Sequence, residues 1–270
     1  MNKLVISIII ILFSVFSFAQ DPTVDRHLHK GIDAFNNQDH ETALKHLEKE
    51  LHYNPKEAQA YYYIGLIKNA KDLNDGCADF SIAIELNPDF DEAYKSRSEC
   101  KVYKGDFKGA LEDLNKAIEI DSSNAVYYFN RSEIRVTLKD YQGGLKDAGK
   151  ALKLDPMLPP TIFGTIAKAY AGLGNYKDAL KFASEFIQFE QYPSSYLVRA
   201  DIKFATKDYT GALEDYQKAN DPDIDGGNTY VKIALTKFAL DDSNGACKAI
   251  EKAIVLGVKI DEELLKKCGK

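Results

Sequence analysis

The stretch GDFKGALEDLNKA at residues 105–117 is written again as KDYQGGLKDAGKA at 139–151 and as KDYTGALEDYQKA at 207–219, at intervals of 34 and 68 residues. Self-similarity at such a period confines a chain to repeat architectures, in which one copy hides its apolar face only against the next. Within a copy the small and apolar residues fall three and four apart, as in Ala110, Leu111, Leu114, Ala117 and Ile118, the spacing of one helix face. A second helical segment precedes each copy: AYKSRSECKVY, VYYFNRSEIRV and SYLVRADIKFA. Between the two lies a turn that repeats as Asp106-Phe107, Asp140-Tyr141, Asn175-Tyr176 and Asp208-Tyr209. The unit is therefore a helical hairpin. Small residues recur on its second helix as Ala43, Ala110, Gly144, Ala179, Ala212 and Ala246, where two helix axes approach closely. A larger side chain there would cost about 1–3 kcal/mol in overpacking. Several units end on a proline, at Pro55, Pro88 and Pro156.

The period, Gly31 and Gly65 in the first helices, Tyr170, and endings such as KAIEID and KALKLDP resemble the tetratricopeptide repeat family. The resemblance implies an all-α fold, a right-handed α-solenoid of about seven helical hairpins. They occupy 24–57, 58–90, 91–124, 125–158, 160–192, 193–226 and 227–260, with a capping helix at 261–268, so that the repeats cover 20–270. Departures from the family pattern are specific: no Trp, Ser98 and Ser132 where Gly is usual, one residue fewer in the second unit and one more near Pro159 and Pro160.

Arg97, Arg131 and Arg199 each precede an aspartate by 16 residues: Asp113, Asp147 and Asp215. Positions equidistant from a hairpin turn lie level, so each pair is expected to meet within its own unit as a structural ion pair. Units with Ile166 or Ile233 in the arginine slot carry Phe182 or Ala249 opposite, and Ile64 with Asp79 breaks the rule.

At the N-terminus, Lys3 is followed by the apolar and serine run Leu4 to Phe18 and by Ala19. This 15-residue run has the layout of a cleaved secretory signal peptide over 1–19 and is short of the roughly 20 residues a membrane span needs. An exported protein, periplasmic or secreted, with no stable membrane anchor after cleavage is the expectation. The mature chain would hold 34 basic and 41 acidic residues, a net charge of −7, with no basic stripe, which argues against a nucleic-acid partner. Cys77 and Cys100 lie 11 residues before and 12 after Pro88, and Cys247 and Cys268 lie 10 before and 11 after Gly257. Each pair is level across a helix break, and both are expected as disulfides, in keeping with export. All five histidines (His27, His29, His40, His46 and His52) sit in the first unit, yet none is three or four residues from another, so no metal site is read from them. Phosphate loops, nucleophile elbows and Cys-x-x-Cys pairs are missing, so neither a cofactor nor an enzyme activity is expected.

The resemblance implies a noncatalytic protein-protein interaction scaffold, its first helices lining a concave groove that holds a peptide or a partner protein. One row along those helices reads Tyr62, Lys95, Phe129, Gly164, Leu197 and Val231; a row one turn on reads Leu66, Glu99, Glu133, Lys168, Asp201 and Leu235. With Asn130, these are the candidate contact residues, taken to face outward. A chaperone-tail carboxylate clamp is not expected. Lys95 and Asn130 suit it, but Glu99 would repel the carboxylate, and Thr161 and Thr165 stand where basic residues belong. The alternative is a structural subunit of an envelope assembly or secretion complex.

Overall fold

The computed structural model describes residues 24–71, 76–225 and 227–269; the leader expected over 1–19 lies outside them. Among the described residues all regular structure is helical. The chain divides into two compact units, one ending at Ser122 and the other starting at Ser123.

The first unit holds three hairpins: α1 (Val24–Asn36) with α2 (His40–Tyr53), α3 (Ala58–Lys71) with α4 (Cys77–Leu86), and α5 (Asp91–Tyr103) with α6 (Phe107–Ile120). The second holds four: α7 (Ala125–Thr137) with α8 (Tyr141–Leu154), α9 (Thr161–Gly172) with α10 (Tyr176–Phe189), α11 (Pro193–Ala205) with α12 (Tyr209–Ala219), and α14 (Asn228–Ala239) with α15 (Ser243–Val255). A single turn, α13 (Pro222–Asp225), separates the last two hairpins, and α16 (Glu262–Lys267) closes the chain. Each hairpin packs on the next within its unit, giving the all-α solenoid architecture of stacked helical hairpins.

Local chemistry explains the boundaries. The recurring turn aspartate is a helix N-cap: Asp106, Asp140, Asp208 and Asp242 accept the backbone N–H of Gly109, Gly143, Gly211 and Gly245 at 2.8–3.0 Å. Such a cap is worth about 1 kcal/mol. The residue just before several caps takes a left-handed backbone conformation, which Gly105 and Gly174 adopt freely and Lys139 and Lys207 adopt at φ 66°.

The small residues lie where the helices cross. Ala43, Ala110, Ala179, Ala212 and Ala246 are all 0% exposed. Gly65 lets the Phe80 ring reach its backbone, and a Cβ on Gly172 would collide with the Tyr141 ring of the preceding hairpin. That turn aromatic therefore joins consecutive hairpins. Tyr176 in the corresponding turn of the fifth hairpin is instead 37% exposed.

The arginine–aspartate pairs form, and they are more elaborate than a single pair. Arg97 grips Asp113 at 2.7 and 2.9 Å, Arg131 grips Asp147 at 2.8 Å, and Arg199 grips Asp215 at 2.7 and 2.8 Å, each through two nitrogens. A second cation four residues along the same helix joins every one: Lys101 on Asp113, Arg135 on Asp147 and Lys203 on Asp215. That second position also explains the exception of the second hairpin, where Ile64 leaves Asp79 to Lys68 at 2.8 Å. In the first hairpin the aspartate slot holds His46, whose Nδ1 lies 3.0 Å from Nδ1 of His27. Burial lowers the pKa of both imidazoles, and the lysines around them, Lys30 and Lys49 among them, lower it further. Both cysteine pairs of the sequence reading stand at disulfide distance, with Cα separations of 5.9 Å for Cys77–Cys100 and 5.6 Å for Cys247–Cys268.

Candidate functional site

The residues of the two candidate rows do not share one environment. In the first unit, Tyr62 is half-buried, its ring 4.8 Å from that of Phe90 and 5.9 Å from that of Phe80. Burial raises its phenol above the usual range, and a hydrogen bond with Ser96 draws it partly back. Leu66 is half-buried, while Lys95 and Glu99, one turn apart on α5, pair with each other at 2.7 Å.

In the second unit the expectation that Phe129 faces outward is overturned. Phe129 is 8% exposed and belongs to the core with Ala148, Ala151 and Ile162. A large apolar side chain at that step gains more by filling the seam to the next hairpin than by facing water. Asn130 and Val231 are half-buried, and Leu235 is 38% exposed.

Five row residues come together, Gly164 in the floor and four with side chains around it. Glu133 of α7, Lys168 of α9, and Leu197 and Asp201 of α11 line a cleft of about 260 Å³ that crosses three successive first helices. Its floor is apolar: Gly164 lacks the side chain that would strike Phe186, so the Phe186 ring reaches through from α10, next to Val198. Thr161, Thr165 and Ser194 add hydroxyls to the rim. Thr165 donates to Glu133 Oε1 at 3.5 Å. The enclosing wall pushes the Glu133 carboxyl above the usual range, while Lys168 and Thr165 pull it partly back. Asp201 is held from the other side by the Tyr216 hydroxyl at 2.7 Å and by the Lys232 ammonium. Tyr216 itself is buried, which with Asp201 drives its phenol far above the usual range.

The sequence pointed to the charged rim of this cleft but not to its floor. Phe186 lies on a second helix and outside any first-helix row. The available signal was Gly164, a residue without a side chain in the row. Thr161 and Thr165 entered the sequence reading only as missing basic residues. An apolar floor ringed by two carboxylates, an ammonium and three hydroxyls can bind an extended chain by burying one side chain and pairing its polar neighbours. Among the described residues no group of three or more histidines, cysteines or carboxylates is placed to hold a metal ion.

The tetratricopeptide repeat family matches residues 28–76. No curated protein matches the chain in sequence. A solved tetratricopeptide repeat protein from Parabacteroides merdae superposes with a TM-score of 0.70 at 19% identity, over 92% of this chain and 99% of that one. The APC/C hetero-tetramer Cut9–Hcn1 gives 0.71 at 11% identity, over 84% of this chain and 48% of that one. PilW, a type IV pilus biogenesis factor, gives 0.62 at 17% identity, over 70% and 91%. What this chain shares with them is the fold, that of the tetratricopeptide repeat proteins.

Proposed function

We propose that the protein is an exported, noncatalytic interaction scaffold that holds a peptide or an extended segment of a partner protein against its first helices. The cleft of Glu133, Lys168, Leu197 and Asp201 is the observation that carries this reading. It is concave, apolar at its base, polar at its rim, and built from consecutive repeats, as recognition of an extended chain requires. Export is inferred from the leader and from the two cysteine pairs at disulfide distance, which persist in oxidising compartments. Among the described residues no helix is long and apolar enough to cross a membrane. Solved structures of the same fold, one of them in a hetero-tetramer, support a protein-binding role.

A photo-crosslinking side chain at Leu197, exposed to envelope extract, tests this. A discrete protein adduct is expected there, reduced by Lys168→Glu and weak from a probe at Glu214 on the exposed side of α12. Adducts from the Glu214 probe alone would favour the structural-subunit alternative, in which the molecule is held by its outer helices.

A further inference from the structure

The seventh hairpin keeps the second cation of the ion triads but not their aspartate. In the third, fourth and sixth hairpins the second cation (Lys101, Arg135 or Lys203) reaches the buried aspartate at 2.8–2.9 Å and the carbonyl of a glycine at the start of the second helix at 3.2–3.4 Å. The seventh keeps that cation as Lys237, seated against Gly245 and paired with the cap residue Asp242 at 2.9 Å. The slot that holds Asp113, Asp147 and Asp215 elsewhere holds Ala249.

The missing carboxylate leaves space. A cleft of about 390 Å³ opens beside Ala249 and Lys237, bounded by Lys248, Lys252 and Asn220. Lys252 is steadied over the Tyr230 ring at 5.4 Å. Asn220 lines this cleft, and its Oδ1 is buried without a hydrogen-bond partner, an acceptor that needs a donor. A second cleft of about 490 Å³ shares Tyr230, Lys248 and Lys252 and continues over Val255 and Leu256, which are 85% and 42% exposed. Two acidic groups, Asp242 and Glu251, stand near three ammonium groups. At 100° per residue, Ile233 and Lys237 face the side of α14 away from Val231 and Leu235, so this site is separate from the first-helix rows.

We infer that this slot takes a carboxylate side chain from an acidic segment of a partner protein. The incoming carboxylate stands where the aspartate stands in the other hairpins and meets Lys237, with Lys248 and Lys252 at the mouth. The Asn220 amide turns toward the cleft as the segment binds, and its Oδ1 accepts from a backbone N–H of that segment. An apolar neighbour in the segment covers Val255 and Leu256. The requirement for both a carboxylate and an N–H donor is what selects a peptide over a simple anion.

The test uses the full chain and a fluorescein-labelled peptide of alternating glutamate and leucine, followed by fluorescence anisotropy at low salt. Saturable binding is expected, weakening about tenfold in Lys237→Gln or Lys252→Gln, as loss of one charge-assisted bond implies. Ala249→Asp puts the protein's own carboxylate in the slot and should abolish binding. Circular dichroism checks the fold of each variant. If Ala249→Asp does not fold, the surface changes at Lys237 and Lys252 carry the result. The inference is overturned by no binding, by binding that survives all these changes, or by equal binding of a lysine-for-glutamate peptide. The probe differs from the crosslinking experiment at Leu197, so either reading can fail alone.

Discussion

Asp215 shows what one residue does for a repeat. It is 1% exposed, and burial alone would raise its carboxyl, but the hydrogen bonds from Arg199 and Lys203 outweigh burial and hold it below the usual range. The folded chain therefore releases this proton more readily than the unfolded chain. The stabilisation is fully present above the ordinary aspartate value of about 3.9 and is lost as pH falls through the lower folded value. Removing the carboxylate leaves two cations facing a buried gap, so Asp215→Ala should cost about 3–5 kcal/mol in urea denaturation. The fifth hairpin fills the same slots without charge, with Ile166, Tyr170 and Phe182. Copying it as Arg199→Ile, Lys203→Tyr and Asp215→Phe together should return stability to within about 2 kcal/mol of the parent, because well-packed apolar groups replace buried ion pairs at little cost. A triple variant as unstable as Asp215→Ala would mean that the charges fix something packing cannot. The 16-residue register was legible because it repeats. The second cation was not, since a lysine or arginine four residues along a helix reads as solvated surface until the aspartate between the helices is seen to accept from both.

At the scale of the helix, periodicity and turn residues carried most of the structure, because every hairpin solves the same packing problem with the same small residues. The single turn at α13 escaped, as four residues hold no period. The closing helix α16 is the informative case. Its six residues are too few to stand alone, given that isolated helices below about 12 residues are marginal, and none of them is fully buried. Leu264 and Leu265 rest half-buried on the core of the last hairpins, and Cys268, just beyond the helix, is placed on Cys247. Closing a loop with a sequence separation of 21 is worth about 3 kcal/mol in the chain-entropy model. In Cys247→Ala/Cys268→Ala, amide exchange across 262–267 should become fast while 141–154 keeps its protection. Slow exchange in that variant would show that the leucines alone dock the helix. The unreduced, denatured parent should label with a thiol reagent at no site, and four labels would remove both disulfides from the account.

For the whole molecule, the stacking of like hairpins was legible and the candidate surface only in part. Register predicts which residues are equivalent, but exposure depends on what the next hairpin brings to each step. Phe129 meets Ala148, Ala151 and Ile162 and sinks, whereas Glu133, one turn on, stays open and gathers Lys168 and Asp201 around it. A polar residue on a repeat face is thus a safer pointer to a site than an aromatic one, because aromatic side chains gain most from being covered. The same nearest-neighbour logic governs stability. Within its unit each hairpin contacts mainly its immediate neighbours, and each compact unit, up to Ser122 and from Ser123, has its own core clusters and its own cysteine pair. Damage to one buried triad should therefore stay local. In Asp113→Ala, a loss of roughly 3 kcal/mol corresponds to amide exchange about a hundredfold faster, and it should appear in 77–86, 91–103 and 107–120. Helices α11, α12, α14 and α15 should exchange as in the parent, since hairpins coupled only to neighbours open independently at that distance in sequence. Uniform acceleration along the chain would instead identify a single cooperative body, in which the ion triads act through the global unfolding equilibrium rather than through the hairpins that hold them.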